Sequence, residues 1–472
     1  MLQDFPTRTE QEDRLLQTLN DLGSLQDSED TDRTDGPGTV KRVVILSSTL
    51  GTGHLRAGQA IQAALSEKYS GVEVETFDFW SLMDAGVAQV ARQSYLTLVQ
   101  EYPELYERVF ELDAPGLQAV MAGSGELPPL LHRGFKLLAS KGLDTTDLRS
   151  QGVRFNVDRL LFSTLRWAFP GHVPLNNRSV ALMRRILIHC GERVLANRLE
   201  KRLRKFKPDI IVATQMLPAA LLSTIKRRGS LPVPILGVLV DWGVNEFYLQ
   251  SSVDHYCVPH ASIHGLQTGE RFSVTGIPLM PGFRDPPDQQ VARTKLGLDA
   301  KAAVVLVQGG GLGLHVIDIT RALMRTDKLH VLVQAGNNSE ANDALQELES
   351  CYPERLHTWA WTDEMQVFFR AADLVVGKPG GLTLAECLAC GRPLLACHSI
   401  HGQESFNIEF LEKFRIGKLV PPGDLAKVVE SMLLDRSELI RAQKRAWNIG
   451  QRNSAERIAK LIMQFGSRND GC

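Results

Sequence analysis

The chain is short of the features that mark the specialised protein classes. Seven cysteines in 472 residues, odd in number and scattered, argue against a disulfide framework and fit free thiols in a reducing compartment. No stretch reaches the roughly 18 consecutive apolar residues that a membrane span needs, so any membrane contact is expected to be peripheral. Charge is balanced at 53 Lys and Arg against 54 Asp and Glu, which removes the bulk electrostatic case for nucleic acid as a partner. Large apolar residues are scarce over the first 36 positions, where ten acidic side chains face three basic ones. That composition predicts a solvated, disordered acidic tail over residues 1–38. It suits neither an acid-poor transit peptide nor a secretory signal with an apolar centre, and a cytoplasmic location is the resulting expectation.

Two familiar nucleotide motifs are also missing. Gly51 and Gly53 follow a strand-like run, Val40–Ser47, but Gly58 comes five residues later, where a dinucleotide fingerprint would have its third glycine after three. The same loop lacks the Gly-Lys-Ser or Gly-Lys-Thr of a P-loop. What it offers is His54 at the mouth of a helix-like stretch, Leu55–Lys68, with a second strand, Val72–Phe77, at the spacing of a βαβ unit.

At this length two or three domains are expected, and the pattern divides near Val274–Pro278, where prolines and glycines make a plausible linker. Strand patterns at Pro208–Ala213 and Ile235–Val240 complete a first half, the latter running into Asp241 and Trp242. The second half opens with strand Val304–Gln308 and the loop Gly309–Gly313, whose glycines let backbone approach a phosphate or a facing domain. Further strands end at Gly336–Asn338 and near Trp359–Asp363. The expected fold class is α/β, with two Rossmann-like doubly wound domains facing a cleft (residues 39–278 and 279–450), a helical insertion in the first, and a C-terminal helix and tail over 451–472.

The most informative stretch is Val375–Asn407. Leu374–Val376 reads as the end of a buried strand, and Pro379, Gly380 and Gly381 as a turn with backbone freedom. Thr383 is expected to begin a helix whose first-turn N–H groups, lacking intrahelical acceptors, can face a diphosphate. Glu386, one turn in, is placed to accept hydrogen bonds from ribose hydroxyls. A short strand, Pro393–Cys397, then leads to Gln403, Glu404 and Asn407 at a strand's C-terminal edge, where open α/β sheets bind ligands. Cys387, Cys390, Cys397, His398 and His401 have spacings that zinc would accept, but thiols inside a helix pack as ordinary apolar groups. No metal and no cofactor is the expectation.

The pattern G-G-x-T-x-A-E-x-L-x-x-G-x-P followed by G-Q-E-x-x-N resembles the donor site of UDP-sugar glycosyltransferases of GT-B fold. More narrowly, it resembles the monogalactosyldiacylglycerol synthase and processive diacylglycerol glucosyltransferase group. A wider relative is the N-acetylglucosaminyltransferase of the lipid-linked peptidoglycan precursor. The loop S-x-x-x-G-x-G-H-x-x-A around Gly51, Gly53 and His54 is a second match to the same group. The resemblance implies transfer of a hexosyl group from UDP-glucose or UDP-galactose to a lipid hydroxyl, diacylglycerol, by a metal-independent inverting displacement at an anionic membrane surface. It implies donor binding by Gly310, Gly311, Asn337, Gly380, Gly381, Thr383, Glu386, Gln403, Glu404 and Asn407. Gly51, Gly53, Tyr95 and Trp242 would lie on the acceptor side, with Tyr95 in a segment, Tyr95–Tyr106, similar to one in the diacylglycerol enzymes.

His54 and Asp241 are the candidates for the base, with Asp241 either fixing the His54 tautomer or acting alone. Asn245 and Tyr248 depart from the histidine and tryptophan usual in that loop. Basic, apolar stretches between residues 127 and 207 suit an anionic lipid surface or a merely solvated helix face. A sugar-nucleotide 2-epimerase and a non-catalytic UDP-sugar sensor stay open as alternatives.

Overall fold

The computed structural model describes residues 40–49, 51–89, 178–244, 249–263, 265–266, 271–359, 361–399 and 404–467, with side chains from 192 onward in the helix that begins at 178. The acidic tail, Tyr95 and its segment, the apolar stretches between 127 and 169, Asn245, Tyr248, His401 and Gln403 lie outside the described residues.

Two six-stranded parallel sheets organise the rest. The first has the order β2-β1-β3-β4-β5-β6, built from β1 (Arg42–Ser47), β2 (Glu73–Asp78), β3 (Ile210–Ala213), β4 (Ile235–Val238), β5 (His255–Val258) and β6 (Phe272–Val274). The second has the order β12-β11-β10-β7-β8-β9, from β7 (Ala303–Gln308), β8 (Leu329–Gln334), β9 (Leu356–Trp359), β10 (Leu374–Gly377), β11 (Leu394–Ala396) and β12 (Gly417–Leu419). Central strands such as Val43–Leu46 and Val304–Val307 are unbroken apolar runs, buried throughout, because helices cover both faces of a parallel sheet.

Among the described residues, the helices of the first half include α1 (Thr52–Lys68), α2 (Arg178–Phe206) and α3 (Met216–Arg227). In the second half α4 (Gln289–Lys295), α5 (Val316–Leu323), α6 (Ser339–Cys351), α7 (Met365–Ala371), α8 (Gly381–Ala389), α9 (Ser405–Lys413), α10 (Leu425–Leu434) and α11 (Arg436–Ile449) follow, and α12 (Ser454–Gly466) ends the chain's described part. The sequence pattern suggests one helix over Trp447–Phe465; the structure breaks it between Ile449 and Ser454. Close packing explains the break, since a Cβ on Gly450 would lie 2.3 Å from the Leu388 carbonyl oxygen and one on Gly276 would lie 2.4 Å from Gln451 Cβ. The chain turns there, and α12 docks on the first sheet. Ile458, Ala459 and Ile462 join Val43, Ile45, Ile61 and Val212 in one core, each isoleucine contributing about 1.5–3 kcal/mol by its burial.

Strand order reverses once in each half, between β1 and β3 in the first and between β7 and β10 in the second. Loops at a reversal diverge to opposite faces and leave a crevice at the strands' carboxyl ends. The two crevices face each other.

Candidate active site

The cleft between the halves is lined from the first by Gly51, Gly53, His54, Arg56 and Asp241, and from the second by the loop after β7, Trp361, Lys378, Gly380, Thr383, Glu386 and Glu404. The N-terminal turns of α1 and α8 meet here: a Cβ on Gly53 would sit 3.7 Å from Leu382 Cβ. Other glycines are demanded by the approach of the two halves. A Cβ on Gly311 would fall 2.2 Å from Thr52 Cγ2, and one on Gly381 1.9 Å from the Val240 carbonyl oxygen.

His54 lies in the first turn of α1 and is buried. Its backbone carbonyl accepts hydrogen bonds from Ser47 Oγ at 2.7 Å and Thr214 Oγ1 at 3.1 Å, which fixes the start of the helix against the ends of β1 and β3. Its Nδ1 stands 2.7 Å from the Thr214 carbonyl oxygen. A carbonyl can only accept, so Nδ1 carries the proton and Nε2 keeps its lone pair. Burial lowers the pKa from 6.5, against opposing contributions from the Asp241 charge and the Thr214 hydrogen bond. Of the two roles open to Asp241, fixing the tautomer falls to Thr214 instead. Pairing of β1 with β3 brings the residue just after β3 under α1, and that residue's backbone does it; Asp241, also buried and in the cleft, acts on His54 through its charge.

On the facing side, α8 begins at Gly381 with Gly380 as its cap, two residues before the start expected at Thr383. Gly380 has no side chain to cap the helix, so the first-turn N–H groups have neither an intrahelical acceptor nor a side-chain acceptor among the described residues. Thr383 is in this turn and lines the cleft. Glu386, half-buried at the cleft wall, has its pKa raised to about 8 by desolvation, with the Arg56 charge working against the shift. Because the folded state then holds a proton that the unfolded state has released, Glu386 costs stability progressively as pH rises from about 4.5 to about 8. Arg56 reaches across from α1 to pair with Asp363 at 3.1 Å, its guanidinium 5.4 Å from the half-exposed Trp361 ring centroid.

Three expected ligand positions have other surroundings. Asn407 is fully buried: its Oδ1 accepts the Trp242 N–H at 3.0 Å and its Nδ2 donates to the Pro379 carbonyl at 2.7 Å. Trp242, expected on the acceptor side, is buried too, donating from Nε1 to the Gly381 carbonyl at 3.0 Å and packing 4.3 Å from the Phe410 ring. Both therefore brace the halves together. Asn337 is exposed and does not line the cleft, because Gly336 turns the chain (φ 61) after β8, and its N–H donates to the Gly311 carbonyl at 3.1 Å. Glu404 does line the cleft, ion-paired with Lys378. Gly310 lines it as well.

The sequence reading passed over Arg56, Thr214, Gln308, Gln334, Trp361 and Lys378. Lys378 was visible inside the Gly377–Gly381 motif, and Gln308 and Gln334 as polar residues closing apolar strands. Nothing local marks Thr214 or Arg56. Among the described residues no three His, Cys, Asp or Glu side chains are grouped to hold a metal ion. Cys387 and Cys390 are buried within or at the end of α8, and burial raises both thiols, Cys390 to about 12. No helix among the described residues is long and apolar enough to cross a membrane.

Comparison with known proteins agrees with this architecture. Residues 180–279 match the monogalactosyldiacylglycerol (MGDG) synthase family and residues 304–462 the glycosyltransferase family 28 C-terminal domain. A processive diacylglycerol β-glucosyltransferase of Bacillus licheniformis is 27% identical over 275 residues, 57% of this chain and 71% of that protein. The Bacillus subtilis protein of the same name is also 27% identical, over 57% of this chain and 72% of its own. Among solved structures, MurG of Acinetobacter baumannii superposes with TM-score 0.53 at 16% identity, covering 90% of this chain and 99% of that one. The calicheamicin glycosyltransferase CalG4 gives 0.52 at 14%, covering 91% and 99%. The chain, with its two facing parallel-sheet domains, MGDG synthase match and family 28 C-terminal domain, is a glycosyltransferase of GT-B fold.

Proposed function

We propose that the protein transfers a hexosyl group from UDP-glucose or UDP-galactose to a lipid hydroxyl, that of diacylglycerol, in a single inverting displacement without a metal, while resting peripherally on an anionic membrane surface. The observation that carries the reading is His54, whose Nδ1 proton is committed to Thr214, so that Nε2 is a ready proton acceptor on the cleft that the N-terminal turn of α8 also lines. A base on one side and a helix N-terminus on the other are what this displacement uses: His54 takes the acceptor proton as the new bond forms, and the first turn of α8 receives the diphosphate as it leaves. Glu386 holds the ribose and Asp241 steadies the imidazolium that forms. The names of the Bacillus relatives support a diacylglycerol acceptor.

The test is product formation from labelled UDP-glucose and UDP-galactose with vesicles of diacylglycerol and anionic lipid. One labelled glycolipid is expected from one donor, its yield unchanged by a chelator. Epimerised sugar without lipid, or donor binding without product, would replace the proposal with an epimerase or a sensor.

Glu386 gives a second expectation. Replacement by Ala weakens UDP binding by about 1–3 kcal/mol through lost buried hydrogen bonds. Since its carboxyl is largely protonated at neutral pH, a ribose diol that donates to it favours ionisation, and UDP binding at pH 7 releases a proton. Calorimetry in buffers of different ionisation enthalpy reads this directly; an enthalpy independent of buffer would move the ribose elsewhere.

A further inference from the structure

The chain that leads from β1 into α1 forms part of the first half's wall of the cleft, and little in its own sequence fixes its shape. Gly51, Thr52 and Gly53 line the cleft with His54, and Gly51 sits at φ 91, a conformation that glycine adopts without steric cost. Two glycines in three residues leave that backbone unusually free. Its far end is anchored, because Ser47 Oγ donates to the His54 carbonyl at 2.7 Å. Its near end is held from outside. Parallel pairing sets Asp78, the last residue of β2, opposite Ser47, the last of β1, so the Asp78 carboxylate meets the chain just as it leaves the sheet. Oδ1 accepts the Thr49 N–H at 3.0 Å and Oδ2 the Thr49 hydroxyl at 2.7 Å. Oδ1 also accepts the Trp80 N–H at 3.3 Å, and the Trp80 indole donates back to Ser48 Oγ at 3.0 Å. Asp78 does not itself line the cleft.

We propose that Asp78 is a positioning residue for the lipid acceptor: by clasping Thr49 it sets the backbone of Gly51 and Gly53, against which the acceptor hydroxyl is presented to His54. This rests on the glycosyl-transfer reading of the cleft. The base has anchors of its own, since Ser47 and Thr214 hold the His54 carbonyl and the Thr214 carbonyl holds Nδ1. The donor half has its own as well, with Asn407 on the Pro379 carbonyl and Trp242 on that of Gly381. Releasing the clasp therefore moves the acceptor and leaves base and donor where they are. A misplacement of about 1 Å between reacting groups costs about 100-fold in rate.

The experiment measures transfer from UDP-glucose and UDP-galactose to diacylglycerol in anionic vesicles, and UDP affinity by calorimetry, for the full chain and for Asp78→Ala, Asp78→Asn, Thr49→Val and the Asp78→Ala/Thr49→Val double variant. Asp78→Ala is expected to lower kcat/KM for diacylglycerol about 10- to 100-fold, with UDP affinity, the KM for the UDP-sugar and the acid limb of the pH profile unmoved. Asp78→Asn restores most of that loss, because its Oδ1 still accepts both N–H groups and its amide donates to Thr49 Oγ1. Thr49→Val keeps the N–H and loses the hydroxyl, at a several-fold cost, and the double variant transfers no more slowly than Asp78→Ala. Losses that add in the double variant would overturn the route through Thr49. An Asn variant as slow as the Ala variant would make charge the contribution of Asp78 and overturn the clasp. Transfer at the wild-type rate, or UDP affinity that falls in step with transfer, would overturn the acceptor role. If Asp78→Ala does not fold, Thr49→Val decides: a loss confined to the lipid supports the clasp, and no loss refutes it. Wild-type protein that yields no labelled glycolipid from either donor would refute the transfer reading itself, and this inference with it.

Discussion

His54→Ala should lower kcat about 10²- to 10⁴-fold, the usual contribution of a positioned base, while changing UDP affinity little. Transfer rates on diacylglycerol vesicles and UDP calorimetry, run on the same preparations, separate the two. Loss of UDP binding would make His54 a phosphate ligand. The pH profile carries a second, independent reading. Burial holds the His54 pKa below 6.5, so the acid limb of kcat/KM should fall at a pH lower than 6.5, and a limb above that value would point to another group. Stability follows the same sign. The folded state binds fewer protons than the unfolded one around this histidine, so its contribution is complete above about 6.5 and is lost as pH falls through the lowered value. His54→Ala should therefore flatten the stability curve on its acid side.

Asn407→Ala should destabilise the protein by about 2–6 kcal/mol, read as a fall in the urea midpoint with tryptophan fluorescence as the probe. Asn407 is fully buried and satisfies two backbone groups at once, the Trp242 N–H and the Pro379 carbonyl. Truncation orphans both, at about 1–3 kcal/mol each. Pro379 leads into the turn that starts α8, and Trp242 also donates to Gly381, so the same substitution should loosen the helix N-terminus and reduce turnover. The position would be a sugar ligand, as the motif alone suggests, if stability were unchanged and only donor affinity fell.

Much of the framework is readable without coordinates because it is locally encoded. Apolar runs such as Val43–Leu46 and Val304–Val307 can be buried only in the middle of a parallel sheet, and the glycine turns after β1, β7 and β10 mark where backbone comes close to something else. Those signals place the strands to within a few residues and collect His54, Gly380, Gly381, Thr383 and Glu386 on one cleft. Strands β5, β6 and β12 escape such a reading because His255, Ser273 and Lys418 leave each without an apolar run, whereas the equally short β3 and β11 are apolar throughout.

By itself, then, the sequence determined two α/β halves, the loops that carry the site and the motif that marks the second half. Tertiary structure decided which polar residues of that motif face the cleft and which hold the halves together. Asn407 and Trp242 are 165 residues apart in the chain, and His54 and Thr214 are 160 apart. Whether an amide is a ligand or a brace, and which nitrogen of an imidazole carries the proton, depends on the group opposite it. That group is supplied by another strand or the other domain, so no local pattern can name it.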